Sequence, residues 1–127
     1  KQYREQKENV LRKEKENKLH AEKTEYNGTV FGSKKEANRY KQLELLERAG
    51  AISDLRHHVP YELIPSQRKS DGKMERAVKY EADIVYKKDG KLVVEDVKGH
   101  KGGATYQIFV IKRKLMLHVH GIEVKEV

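Results

Sequence analysis

The dipeptide Asp89-Gly90 constrains this chain more than any other feature. It joins two runs of strand-forming residues, and a two-residue loop fixes which residues face each other across the strands. Upstream, Glu75 to Tyr86 reads as a strand in which Val78, Tyr80, Ala82, Ile84 and Tyr86 alternate onto one face. Downstream, Lys91 to Lys98 reads as its partner. If Lys88 opposes Lys91, then Ile84 opposes Glu95 and Asp83 opposes Asp96. The two aspartates then share a face, with side-chain roots about 5 Å apart.

Like charges directly opposite destabilise a ladder, and one carboxylate tends to keep its proton unless a cation sits between them. A divalent cation removes that conflict, and Mg²⁺ is commonly held by one or two carboxylates together with water and a phosphate oxygen. Lys98 stands two residues beyond Asp96 and points to the same face. An ammonium there can orient an attacking water and offset negative charge growing on a phosphate in its transition state. Glu95 competes for the ligand role, but alternation turns it to the opposite face with Ile84. Two plainer readings stay open: a surface ion cluster in which Lys98 and Arg76 bridge the aspartates, and a pairing of Lys98 with Glu81, its cross-strand opposite.

The flanking sequence supplies the rest of a domain. Asn27-Gly28 lies between short β-formers, the pattern of a tight hairpin. A helix then begins at Ser33, which forms a capping box with Glu36, and Ala37, Tyr40, Leu43, Leu46 and Ala49 recur at helical spacing until Gly50. Val59 to Ile64 reads as extended, followed by a polar run from Ser66 to Lys73. Gly99 to Gly103 is a flexible basic loop, and a second helix is expected from about Thr105 to His118, with Ile108, Phe109, Ile111, Leu115 and Met116 as its apolar contacts. A last strand spans Ile122 to Val127. The order hairpin, α, β, β, β, α, β predicts one α+β domain over residues 26–127, with a mixed central sheet and helices packed on it. Residues 1–25 are almost entirely charged or amide-bearing and read as a helical or mobile arm.

Lysine and arginine number 28 against 20 acidic residues, a formal net charge of +8. That balance favours a polyanionic partner such as nucleic acid. Cysteine is absent, which excludes disulfides and thiolate metal sites. No apolar run approaches the roughly 20 residues of a membrane span and the N-terminus has no apolar signal core, so a soluble cytoplasmic protein is expected. The pairs His57-His58 and His118 with His120 lack the cysteine or helix-spaced acid partners of zinc sites. His100, Lys101, Tyr106, Gln107, Lys112 and Lys114, with Arg113, place basic and polar groups beside the aspartates and are the candidate DNA contacts.

Three segments together resemble the PD-(D/E)xK nuclease superfamily: Phe31-Gly32-Ser33-Lys34-Lys35-Glu36-Ala37, Tyr80-Glu81-Ala82-Asp83 and Val94-Glu95-Asp96-Val97-Lys98-Gly99. The nearer likeness is to small phage-encoded endonucleases related to Holliday-junction resolvases, and it covers Tyr26 to Val127. Ala82 stands where the motif's proline would be. The resemblance implies a restriction-endonuclease-like core, with a four-stranded mixed sheet flanked by helices, and hydrolysis of DNA phosphodiesters with Mg²⁺ or Mn²⁺. It assigns metal coordination to Asp83 and Asp96, a catalytic role to Lys98, and a direct or water-mediated contribution to Glu36. It also implies work in phage DNA recombination, replication or processing in the cytoplasm of a bacterial host, on branched DNA or a Holliday junction. A resolvase needs two active sites, hence a homodimer. The alternatives are a non-catalytic DNA-binding module and a phage assembly or interaction protein whose arm makes the contacts.

Overall fold

The computed structural model describes residues 23–127, so the arm lies outside the described residues except at its end. There the first strand already begins, two residues inside the boundary expected for the arm. β1 (Thr24–Tyr26) and β2 (Thr29–Phe31) form a two-stranded antiparallel hairpin. Its turn residues Asn27 and Gly28 take φ of 50° and 77°, the left-handed values that a type I′ turn needs at both positions. α1 (Lys34–Arg48) follows.

The chain divides into two compact units, with the boundary between Lys41 and Gln42 inside α1. The first holds the hairpin and the start of α1, where Phe31 and Ala37 are buried and Phe31 stacks at a tilt on Tyr40. The Ser33 hydroxyl accepts the Glu36 backbone N–H at 3.0 Å, satisfying one of the unpaired donors at the helix start. Ser33→Ala is expected to lower stability by about 1 kcal/mol in urea denaturation. An unchanged midpoint would mean that the cap contributes nothing.

The second unit carries a four-stranded mixed sheet in the order β3-β6-β7-β8. β3 (Ser53–Ile64) pairs antiparallel with β6 (Val78–Lys88), which pairs antiparallel with β7 (Lys91–Asp96). Between β3 and β6 the chain makes a small exposed hairpin, β4 (Gln67–Arg68) and β5 (Met74–Glu75). After β7, α2 (Gly103–His120) crosses over, and β8 (Lys125–Glu126) joins β7 in parallel. Pro60 is tolerated within β3 because that strand lies at the sheet edge, where a missing N–H can face away from the ladder. Among the described residues no helix is long and apolar enough to cross a membrane.

Several expectations need correction. β3 starts at Ser53 rather than Val59, the polar run after Pro65 holds a hairpin rather than a plain loop, and the last strand is only two residues long. α2 runs to His120, where Gly121 at φ 66° gives its N–H to Leu117 and Ile122 gives its own to Met116. Phe109 and Met116 are the buried residues of α2, while Ile108 and Ile111, expected among its packing contacts, are exposed.

The face assignment of β6 also changes. Tyr80 and Ala82 share one core cluster with Val85, Val94, Phe109 and Met116, whereas Ile84 and Tyr86 are buried outside that cluster. Strict alternation would put Val85 on the face opposite Tyr80 and Ala82. The ladder pairs Val59 with Ala82 and His57 with Ile84, and between them His58 takes φ 51°. The strands therefore exchange faces at this point, beside Asp83.

Candidate active site

The β6–β7 register runs Lys88 with Lys91, Lys87 with Leu92, Tyr86 with Val93, Val85 with Val94 and Ile84 with Glu95, as the Asp89-Gly90 turn predicts. Asp89 and Gly90 take φ of 52° and 75°. The ladder ends at Ile84 and Glu95, and the next residues along the two strands are Asp83 and Asp96. Instead of a further backbone pair, the Asp83 carboxylate accepts the Val97 backbone N–H at 2.8 Å. On the other side of β7, the Val127 N–H donates to the Asp96 carbonyl at 2.9 Å and the Lys98 N–H to the Val127 carbonyl at 3.1 Å. The backbone from Asp96 to Lys98 is thus anchored from both sides.

Asp96 is buried, and both its carboxylate oxygens have partners. The Tyr80 hydroxyl donates to Oδ2 at 2.6 Å, and Lys98 Nζ lies 2.7 Å from Oδ1. The same ammonium sits 3.5 Å from the centroid of the Phe109 ring, a cation–π contact, and Phe109 in turn lies at a tilt against Tyr80. Burial pushes the Tyr80 phenol well above its ordinary pKa, and the charge of Asp96, its hydrogen bond and the charge of Asp83 add to the effect. The phenol therefore stays protonated and serves as a donor. Because both aspartates act on this one hydroxyl, Asp83, Asp96 and Tyr80 form a single electrostatic neighbourhood.

Lys98 pairs with Asp96, and the β6–β7 ladder ends before it could bring Glu81 opposite Lys98. The pair also differs from a surface ion cluster, since the two side chains are only 18% and 7% exposed. Glu95 opposes Ile84 and is fully buried, where it accepts a hydrogen bond from the Tyr86 hydroxyl. Glu36 belongs to the first unit, is also buried, and has its Oε2 close to Gly32: a methyl group added there would meet it at 3.1 Å.

Sequence reasoning passed over Tyr80. Strict alternation assigned it to the face of Ile84 and Tyr86, away from Asp96, and the face exchange beside Asp83 reverses that placement. Glu126 was also missed. It accepts the Tyr106 hydroxyl at 2.9 Å and pairs with Arg113 at 3.3 Å, so two groups expected to reach outward are held by the end of the chain. That hydrogen bond raises the Tyr106 pKa above its ordinary value, with burial and the charge of Glu126 contributing less. His100, Lys101, Gln107 and Lys114 are exposed, and Lys112 is half-buried. α2 itself contains no acidic residue, and Glu126 of β8 offsets the charge of its Arg113.

Among the described residues no three His, Cys, Asp or Glu side chains are grouped to hold a metal. The second unit offers instead the carboxylates of Asp83 and Asp96, a hard-oxygen pair of the kind with which Mg²⁺ is held beside water and phosphate oxygens. The donor chemistry fits that ion. An α+β unit with a mixed sheet, carrying a buried acid–lysine–tyrosine cluster where two central strands part, is the class of protein that fold and site define. A family model described as "Protein of unknown function (DUF1064)" matches residues 16–126, and the chain belongs to that family. No curated protein and no solved structure matches the chain.

Proposed function

We propose that the chain is a metal-dependent DNA endonuclease built on a restriction-endonuclease-like core. The observation that carries this reading is the buried Asp96–Lys98 pair at 2.7 Å, at the end of a hairpin register that brings Asp83 to the adjoining strand. Asp83 and Asp96 of the second unit would hold Mg²⁺ or Mn²⁺. The bound ion supplies Lewis acidity and makes water a usable nucleophile at neutral pH. Lys98 keeps a positive charge beside the scissile phosphate and offsets the negative charge that develops there. Lys98 lies just past the end of β7, where hydrogen bonds on both sides of the backbone from Asp96 to Lys98 restrain it, as a preorganised site requires. Branched DNA is the proposed substrate and a homodimer the proposed assembly, both on the resemblance to resolvases.

His100, Lys101, Gln107, Lys112 and Lys114 would contact the DNA backbone, with Tyr106 in support. Replacing Lys101 and Lys112 by Gln is expected to weaken binding to all DNA sequences alike. The slope of log affinity against log salt should fall by about one for each phosphate that is no longer neutralised. An unchanged slope in fluorescence anisotropy would move the binding face elsewhere.

One observation favours a second reading, a non-catalytic DNA-binding module: both oxygens of Asp96 already have partners within the chain. Incubating the protein with branched, flapped and linear DNA in Mg²⁺ or Mn²⁺ separates the two. Metal-dependent cleavage supports the nuclease, and binding without cleavage supports the module.

A further inference from the structure

Tyr80 stands three residues before Asp83, outside the acid-x-lysine tripeptide, yet its hydroxyl is bonded to the carboxylate at the centre of the site. It is buried, it opposes Tyr61 across the β3–β6 ladder, and its ring lies against Phe109. These contacts leave the phenol little freedom, so the direction of its hydroxyl is set by the core. An ionised carboxylate offers about four lone-pair positions. In Asp96 one position on Oδ2 is taken by Tyr80 and one on Oδ1 by Lys98, and the others remain to be used.

We infer that Tyr80 is a positioning residue for the proposed metal site: its hydroxyl fixes the rotation of the Asp96 carboxylate and confines Lys98 to the opposite oxygen. The inference rests on the nuclease reading above. Without the hydroxyl, the carboxylate is free to turn and engage the Lys98 ammonium with both oxygens. The negative charge needed by a divalent cation is then spent on the lysine. Hydrogen-bond partners of metal-binding side chains typically change metal affinity or activity by about 10- to 100-fold when removed. Tyr80 occupies that position relative to Asp96.

The test is a calorimetric Mn²⁺ titration of the full chain without DNA, run on wild type, Tyr80→Phe and Tyr61→Phe, each with a thermal melt. Tyr80→Phe is expected to bind Mn²⁺ about tenfold more weakly or worse. Tyr61→Phe, altered on the neighbouring strand but not bonded to Asp96, is expected to bind like wild type. A folded Tyr80→Phe with wild-type Mn²⁺ affinity overturns the positioning role and leaves the nuclease reading intact. A folded wild type that takes up no Mn²⁺ overturns both. If Tyr80→Phe does not fold, 3-fluorotyrosine is placed at position 80 and its ¹⁹F resonance is followed as Mg²⁺ is added. The resonance is expected to move in the otherwise native chain and to stay still in Asp96→Asn. A resonance that does not move in the native chain overturns the role.

Discussion

Asp96→Asn is expected to abolish metal-dependent cleavage while DNA binding persists. The change keeps the size of a buried side chain and its place in β7 but removes the negative charge that would hold a hard cation. An amide oxygen can still accept the Tyr80 hydroxyl, so the local hydrogen bonding is altered less than the electrostatics. Lys98 loses the counter-charge of Asp96 at a site of low exposure. Removing one partner of a buried ion pair can cost about 3 to 5 kcal/mol, and the remaining cation–π interaction with Phe109 and residual exposure of Lys98 reduce that figure here. The cleavage assay therefore belongs well below the melting temperature of the variant. DNA affinity measured without metal should hold or rise, because one repulsion against phosphate is gone. Asp83→Asn is expected to behave similarly in cleavage, with the Val97 N–H still able to find an amide oxygen. Wild-type rates in either folded variant would contradict its assigned role.

Lys98→Met is expected to give the second large effect, with the opposite division between binding and chemistry. The substitution removes the ammonium but leaves Asp83, Asp96 and the Tyr80 hydrogen bond in place, and a methionine side chain can pack on the Phe109 ring that the ammonium covers in the native chain. Mn²⁺ affinity should therefore be kept, or increase as Oδ1 of Asp96 is released. The chemical step should slow by about a hundredfold or more, the range seen when a group that stabilises developing charge is removed. Single-turnover cleavage with saturating metal isolates that step. A variant with normal chemistry but impaired metal binding would assign Lys98 to the structure of the site instead.

The parts of this fold that were legible in the sequence are those fixed by local chemistry. Asp89-Gly90 set the register of β6 and β7 because both residues readily take left-handed φ, and Ser33 and Gly50 bounded α1 because capping uses specific side chains and backbone freedom. What escaped notice depends on longer-range packing. Ile84, Val85 and Tyr86 are all buried in an internal strand, so no alternation of polar and apolar residues marks where β6 exchanges faces. Tyr80 was therefore assigned to the wrong side. The beginning of β3 was hidden for a related reason, since an edge strand half open to water carries Asp54, Arg56 and His57 without an apolar pattern. Glu126 could not be matched to Tyr106 and Arg113 before β8 was known to lie beside β7.

Under the proposed function, this family member cuts DNA with a metal ion held at Asp83 and Asp96. The most direct test of that reading is single-turnover incubation of the full chain with end-labelled branched, flapped and linear DNA in Mg²⁺, beside reactions with EDTA and with Asp96→Asn. Cleavage of at least one substrate is expected in Mg²⁺, and none in EDTA or with the variant. Stable binding of all three DNAs with no cleavage in Mg²⁺ or Mn²⁺, or cleavage equally fast in EDTA, would contradict that reading.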